Sequence, residues 1–297
     1  MNGKGAIIMQ KILILTDSAC DLDKATIEEL GIRVIPFSIT FGDKSFKETF
    51  EKSAFEVYEM MENFSDIPKT SQITAFEFEE NYKEIYEQGY TDVIYVGINA
   101  KGSATYNNSI MAKESFYEAY PEARDKMRIY NLDSKCYNGV YGYPIMEGVK
   151  KIRKGASAEE IVAYFQEWFD SVVIYAVPMT LKYAKKSGRV SAAAAFAGEM
   201  LGLKPMIEFV DGGTQTLEKI RGEKNIIPKM IAALEKSMVP QTPYVMICGK
   251  TDALAKELEK ELSKKCGRKA EAYFRIGAAV AANIGTDVIG VVFRKKK

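Results

Sequence analysis

Two hydroxyl-bearing segments carry the residues best suited to chemistry. "PKTSQIT" occupies 68–74 and "GINAKGSAT" occupies 97–105. The first holds Thr70, Ser71, Gln72 and Thr74; the second holds Ser103 and Thr105. Each ends where a helical pattern begins, and the second follows the apolar run "TDVIYV". Free amides and the helix dipole make such a place favourable for an anion, and Gly102 lets the main chain approach closely. The chain has no G-x-x-x-x-G-K-[ST] loop there, so no Walker lysine is set for a nucleotide. Two neutral hydroxyls with a few amides suit a single carboxylate better than a triphosphate, which calls for a lysine or a metal. Helix capping also uses a hydroxyl. Thr70 can bind while Ser71 or Thr74 caps, and capping alone accounts for Ser103 but not for two hydroxyl loops at neighbouring strand ends.

Three further stretches compete. "TDSACD" (16–21) sets Asp17 directly after an apolar run. A phosphatase-type nucleophile needs a second Asp two positions on, whereas here it comes four positions later, at Asp21. The alternative is that Asp17, Ser18 and Asp21 satisfy loop amides and cap the next helix. "DSKCYNG" (133–139) is a fourth strand-end loop. From Leu181 to Leu203 two helical segments are broken at Ser187–Gly188, the second rich in alanine and fit to pack closely or to line a cavity. Beside the break stand Lys182, Lys185, Lys186 and Arg189; Arg189, behind a glycine, is the better candidate for a directed role. Lys219, Arg221 and Lys224 follow a later hairpin.

The elements that must position these residues alternate. Strand-like "KILILT", "RVIPFSITF", "TDVIYVGI" and "MRIYNL" are interleaved with helical "DLDKATIEELG", "SAFEVYEMMENF", "TAFEFEENYKEIYEQGY" and "ATYNNSIMAKESFYEAY". That order implies an open, mostly parallel α/β sheet flanked by helices, with ligands beyond the carboxyl ends of its strands. The second half changes character. "KPMIEFVDGGTQTLEKI" reads as a hairpin about "DGG", followed by a βα pair, the small-residue segment "GAAVAANIGTD" and a last strand "VIGVVF". The expectation is an N-terminal α/β domain over 10–165 and a C-terminal α+β domain over 166–297, with the ligand in the cleft between them.

Composition narrows the function. The 297 residues are 47 % hydrophobic and 27 % charged, a globular balance, and the net charge of +1 gives no field for nucleic acid. There is no histidine, which excludes Ser-His-Asp and Cys-His systems and removes the commonest metal ligand. The four cysteines show no C-x-x-C spacing. No apolar run reaches about 18 residues. The simplest reading is a reduced, cytoplasmic protein without metal or cofactor, which leaves room for transient contact with a membrane.

Taken in order, "TDSACDL", "TSQ", "GSATY", "DSK", "LKYAKKSGRVS", "LGLKPMIEFVDG" and "KIRGEKN" resemble the DegV family of bacterial fatty-acid-binding proteins, from about Lys11 to Phe293. The resemblance implies a non-enzymatic carrier that buries a long-chain fatty acid between two domains. It presents the carboxylate to a separate fatty acid kinase for acyl-phosphate formation, in the service of phospholipid synthesis. The carboxylate would be held by Thr70, Ser103 and Asn283, with Ser71, Ala104, Thr105 and Gly285 supporting the loops and cavity, and with Arg189 and Arg221 facing the partner. The family commonly carries His-x-Gly-Pro-Gly where this chain has "NIGTD", and a glycine where it has Ala104. Asn283 can donate a hydrogen bond but carries no charge. Burying a 16-carbon tail is worth a ceiling of roughly 12 kcal/mol at about 0.8 per methylene, reduced by association and ordering. Against this stand two other readings: a small-molecule kinase or phosphate-binding enzyme, and a hydrolase built on Asp17 or Ser18.

Overall fold

The computed structural model describes residues 10–190, 202–210 and 212–296. Most of the alanine-rich second helical segment therefore lies outside the described residues. In chain order the elements are β1 (Ile12–Asp17), α1 (Lys24–Leu30), β2 (Arg33–Ile35), β3 (Ser38–Phe41), β4 (Lys44–Lys47), α2 (Ala54–Asn63), β5 (Lys69–Ser71), α3 (Ala75–Glu87), β6 (Asp92–Gly97), α4 (Thr105–Ala119), β7 (Arg128–Asp133), α5 (Gly139–Arg153) and α6 (Ala158–Ser171). There follow β8 (Val172–Pro178), α7 (Lys182–Ser187), β9 (Leu203–Val210), β10 (Gly213–Arg221), α8 (Ile226–Ser237), β11 (Tyr244–Cys248), α9 (Ala253–Cys266), β12 (Ala272–Arg275), α10 (Ala278–Ile284) and β13 (Val288–Arg294).

The first sheet is parallel throughout, in the order β2-β1-β6-β7. Its central strands β1 and β6 are apolar runs buried on both faces, as helix-covered parallel strands must be. The strand order sets the loops after β2, β1, β6 and β7 along one edge.

"RVIPFSITF" is not one strand. Ile35 pairs with Asp17 in the parallel sheet, whereas Ser38–Phe41 pair with β4 and β5 in a separate three-stranded antiparallel sheet. Pro36 has no N–H and a fixed φ, so the ladder cannot run through it. The next amide, Phe37, is taken by the Ser18 hydroxyl at 2.9 Å. "PKTSQIT" likewise begins as a strand: Thr70 lies opposite Ile39 in β5, and only Thr74 caps α3, in a capping box with Glu77.

The second sheet runs β10-β9-β8-β13-β11-β12, antiparallel except for the β11–β12 pair. The hairpin expected at "DGG" forms, with Val210 opposite Gly213. Period-2 alternation divides this sheet's faces. Tyr175, Val177, Tyr244, Met246 and Phe293 pack into a core shared with α8 and α9. Ile174, Ala176, Val245, Ile247 and Val292 join the core of the parallel sheet. One hydrophobic cluster thus runs through both halves of the chain. The late helix α10 completes it, packing on α2, α7, β3 and β5. The Tyr58 hydroxyl donates to the Ile276 carbonyl just ahead of α10.

Candidate functional site

Between the edge of the parallel sheet and the inner face of the antiparallel one lies a cavity of about 380 Å³, within the usual range of small-molecule sites. Its walls are largely apolar: Phe37, Ile98, Ile174, Ile247, Val280 and Val288. Thr70, Ser103 and Asn283, from three segments far apart in sequence, line this one space, as do Ala104 and Arg189.

Each polar residue is held by its own element. Thr70 is half-buried on β5. Ser103 precedes α4; its hydroxyl accepts the Thr105 amide at 3.3 Å and lies 2.8 Å from the Thr105 hydroxyl. Thr105 is fully buried and its hydroxyl accepts the Ile73 amide at 3.1 Å, which ties the two hydroxyl loops together. The cap position of α4 is Ala104, whose side chain offers no acceptor. Asn283 sits on α10 with one amide N–H donated back to the Ala279 carbonyl at 2.8 Å. Its own carbonyl accepts the Ser187 hydroxyl at 3.2 Å, linking α10 to the end of α7. Gly285 ends α10 at φ +94°, and a Cβ there would stand 2.7 Å from Thr180 Cγ2.

Of the remaining expected residues, Ser71 and Arg221 lie outside the cavity's lining. Ser71 is exposed on β5 and caps nothing. Arg221 ends β10, away from the cavity's lining. Arg189 turns its guanidinium to the Ser187 carbonyl at 2.7 Å. It borders both the main cavity and an adjoining polar one of about 390 Å³ lined by Lys101, Gly102, Tyr137, Gly212, Gly213 and Thr214. Gln72, named in the first hydroxyl segment but given no role, also lines the main cavity, as do Asn107, Tyr137 and Asn138, which sequence reasoning did not single out. Tyr137 and Asn138 stand in the "DSKCYNG" loop, and that strand-end position was the available signal.

Asp17 is occupied by the protein itself. It is fully buried and accepts hydrogen bonds from Tyr141 (2.6 Å), Tyr95 (3.0 Å) and the amides of Ile98 (2.9 Å) and Ala19 (3.2 Å). Burial pushes its carboxyl up to about 6 against the pull of these donors. Ser18 donates to Glu48 at 2.7 Å. A carboxylate enclosed by four donors ties the β1, β6 and β7 loops together and leaves no face for an incoming phosphate ester. Asp21 does not cap α1, which Asp23 does; it accepts the Gly277 amide ahead of α10 at 2.8 Å. Among the described residues no cluster of His, Cys, Asp and Glu is arranged to hold a metal ion, and no helix is long and apolar enough to cross a membrane.

The DegV family profile matches residues 11–296. A DegV domain-containing protein of Staphylococcus aureus is 29 % identical over 292 residues, covering 97 % of this chain and 98 % of that one. A stearic-acid-binding protein from Eubacterium ventriosum superposes with a TM-score of 0.83 at 25 % identity, over 96 % of this chain and 98 % of its own. A DegV family protein from Thermus thermophilus, described by its fatty acid binding, gives 0.84 at 22 % identity, over 97 % and 100 %.

Proposed function

The chain belongs to the DegV family, and on that premise we propose that it binds a long-chain fatty acid in the cleft between a domain of residues 10–165 and one of 166–297, the carboxylate meeting Thr70, Ser103 and Asn283. The observation that carries this reading is the convergence of those three side chains on one largely apolar cavity. Stearic acid in the related Eubacterium ventriosum protein supports the ligand class.

The chemistry of the head group follows from the hydrogen-bond chain. The Ile73 amide donates to the Thr105 hydroxyl, and with Thr105 donating in turn to Ser103, the Ser103 proton is left for a carboxylate oxygen. Thr70 supplies a second hydroxyl. Asn283 has a second amide N–H to give, since only one is used on Ala279. A carboxylate leaving water without such donors would be strongly disfavoured, and charge-assisted bonds of this kind are about twice as strong as neutral ones. The tail supplies most of the affinity through apolar burial, and the hydroxyl end fixes which way the acid lies.

The same geometry supports a carrier rather than an enzyme. The carboxylate would lie beside Arg189 and the polar cavity that adjoins it, within reach of a separate kinase that phosphorylates it, with Arg221 on the partner's side. Organic extraction of purified protein followed by mass spectrometry tests the ligand. A straight-chain fatty acid at close to one per chain is expected, and a folded sample yielding none refutes the reading. Calorimetry with ATP and the chain alone should show no heat of binding; a saturable heat would favour the phosphate-binding alternative.

A further inference from the structure

We propose that Phe209 is the partition that limits how much acyl chain this protein accepts, an inference that rests on the fatty-acid reading of the main cavity. Beyond that cavity lies a smaller one of about 140 Å³, lined in part by Val140, Phe169, Val172 and Val173. Among the described residues, Cys136 and Phe209 alone line both spaces. The two cavities follow one another along β8: Ala176 and Ile174 line the larger, and Val172, on the same face, lines the smaller beside Val173. Phe209 pairs with Ile174 at the division.

The two halves of the wall differ in their freedom. Cys136 is fixed through its main chain, whose carbonyl accepts the Asn99 amide at 3.0 Å and the Ser134 hydroxyl at 3.1 Å. Burial pushes its thiol up to about 12, so it stays neutral and behaves as a small apolar surface. Phe209 reaches across as a side chain. Its ring rests edge-on against Tyr137, with centroids 5.7 Å apart at 72°, and both residues are only half-buried. A rotamer change at Phe209 moves the ring without disturbing the β8–β9 ladder. The space then opened has a mixed lining: Val140, Phe169, Val172 and Val173 are apolar, and Ser134 with the Lys135–Asp170 ion pair, 3.0 Å long, makes the polar part. The end of an aliphatic tail would lie against the apolar part of that lining.

Truncating the ring joins the two spaces. The test loads the wild type, Phe209→Ala and Phe209→Trp with an equimolar mixture of saturated acids of roughly 14 to 22 carbons, and reads the retained acids by mass spectrometry. Two further methylenes reaching apolar walls raise retention of the longer acid about tenfold. The mean carbon number should therefore rise in Phe209→Ala and fall in Phe209→Trp. Adding Val172→Phe to Phe209→Ala refills the annex and should restore the wild-type profile. Should the alanine variant prove unfolded by circular dichroism, Phe209→Leu and Phe209→Trp carry the comparison in its place. Fatty acid bound by every variant with one unchanged profile overturns the role of Phe209 and leaves the ligand assignment standing. A wild type that takes up no fatty acid overturns both.

Discussion

Replacing Glu48 with Gln tests how the wall carrying Asn283 is held. Glu48 is buried beneath the start of α10, where one carboxyl oxygen accepts the Ala279 amide at 2.8 Å and the other the Ser18 hydroxyl at 2.7 Å. Asp21 is half-buried beside it, bound to the Gly277 amide at 2.8 Å, and Asp17 adds a third carboxyl to the group. Burial pushes Glu48 from 4.5 up to about 7, despite the bonds from Ser18 and Ala279. Its folded value lies above its unfolded one, so its contribution is complete at pH values below the unfolded pKa. That contribution is lost as pH rises to about 7. Glutamine imitates the protonated acid. The shift corresponds to about 3 kcal/mol of stability regained by the variant at pH 8, and less than about 1 kcal/mol at pH 5. Urea unfolding of both proteins at the two pH values measures the difference. A variant destabilised equally at pH 5 and pH 8 would show that Glu48 is not held protonated under α10, and the reasoning would fall.

Thr70→Ala and Ser103→Ala should each weaken binding of a long-chain acid about tenfold or more, the worth of a hydrogen bond to a charged group, as read by displacement of a fluorescent fatty acid. Gly142→Ala should lower stability by about 1–3 kcal/mol in urea unfolding, because its Cβ would stand 2.2 Å from the Cys20 carbonyl and force α5 off the loop after β1. Gly285→Ala combines a positive φ with a 2.7 Å approach to Thr180; a loss of about 1–3 kcal/mol is expected, with weaker acid binding from the displaced end of α10.

Local pattern carried much of the architecture into view. The apolar runs of β1 and β6, the glycine stop after α1 and the "DGG" hairpin follow from neighbours in sequence, and the structure has each of them. What stayed hidden depends on distant partners. The split at Pro36 was marked by the proline, but that Ser38–Phe41 would join β4 and β5 in a third sheet is a matter of pairing across some thirty residues. Glu48 looks like any exposed acid in "KETFEK"; it becomes a buried carboxyl because α10, more than two hundred residues later, sets its amides over it. The Ser103 hydroxyl was legible as a strand-end loop residue; Thr70 was read the same way but is the middle residue of β5. Their meeting in one cavity was expected from the family resemblance and not from local pattern; the Ile73–Thr105 bond ties the two segments together.

The enclosure is finished late. Ala279, Val280, Asn283 and Val288 close a space whose opposite side is built from Phe37, Thr70 and Ser103. A growing chain therefore carries the apolar side chains of Phe37 and Ile98 long before residues 279–288, which share their cavity, have been made.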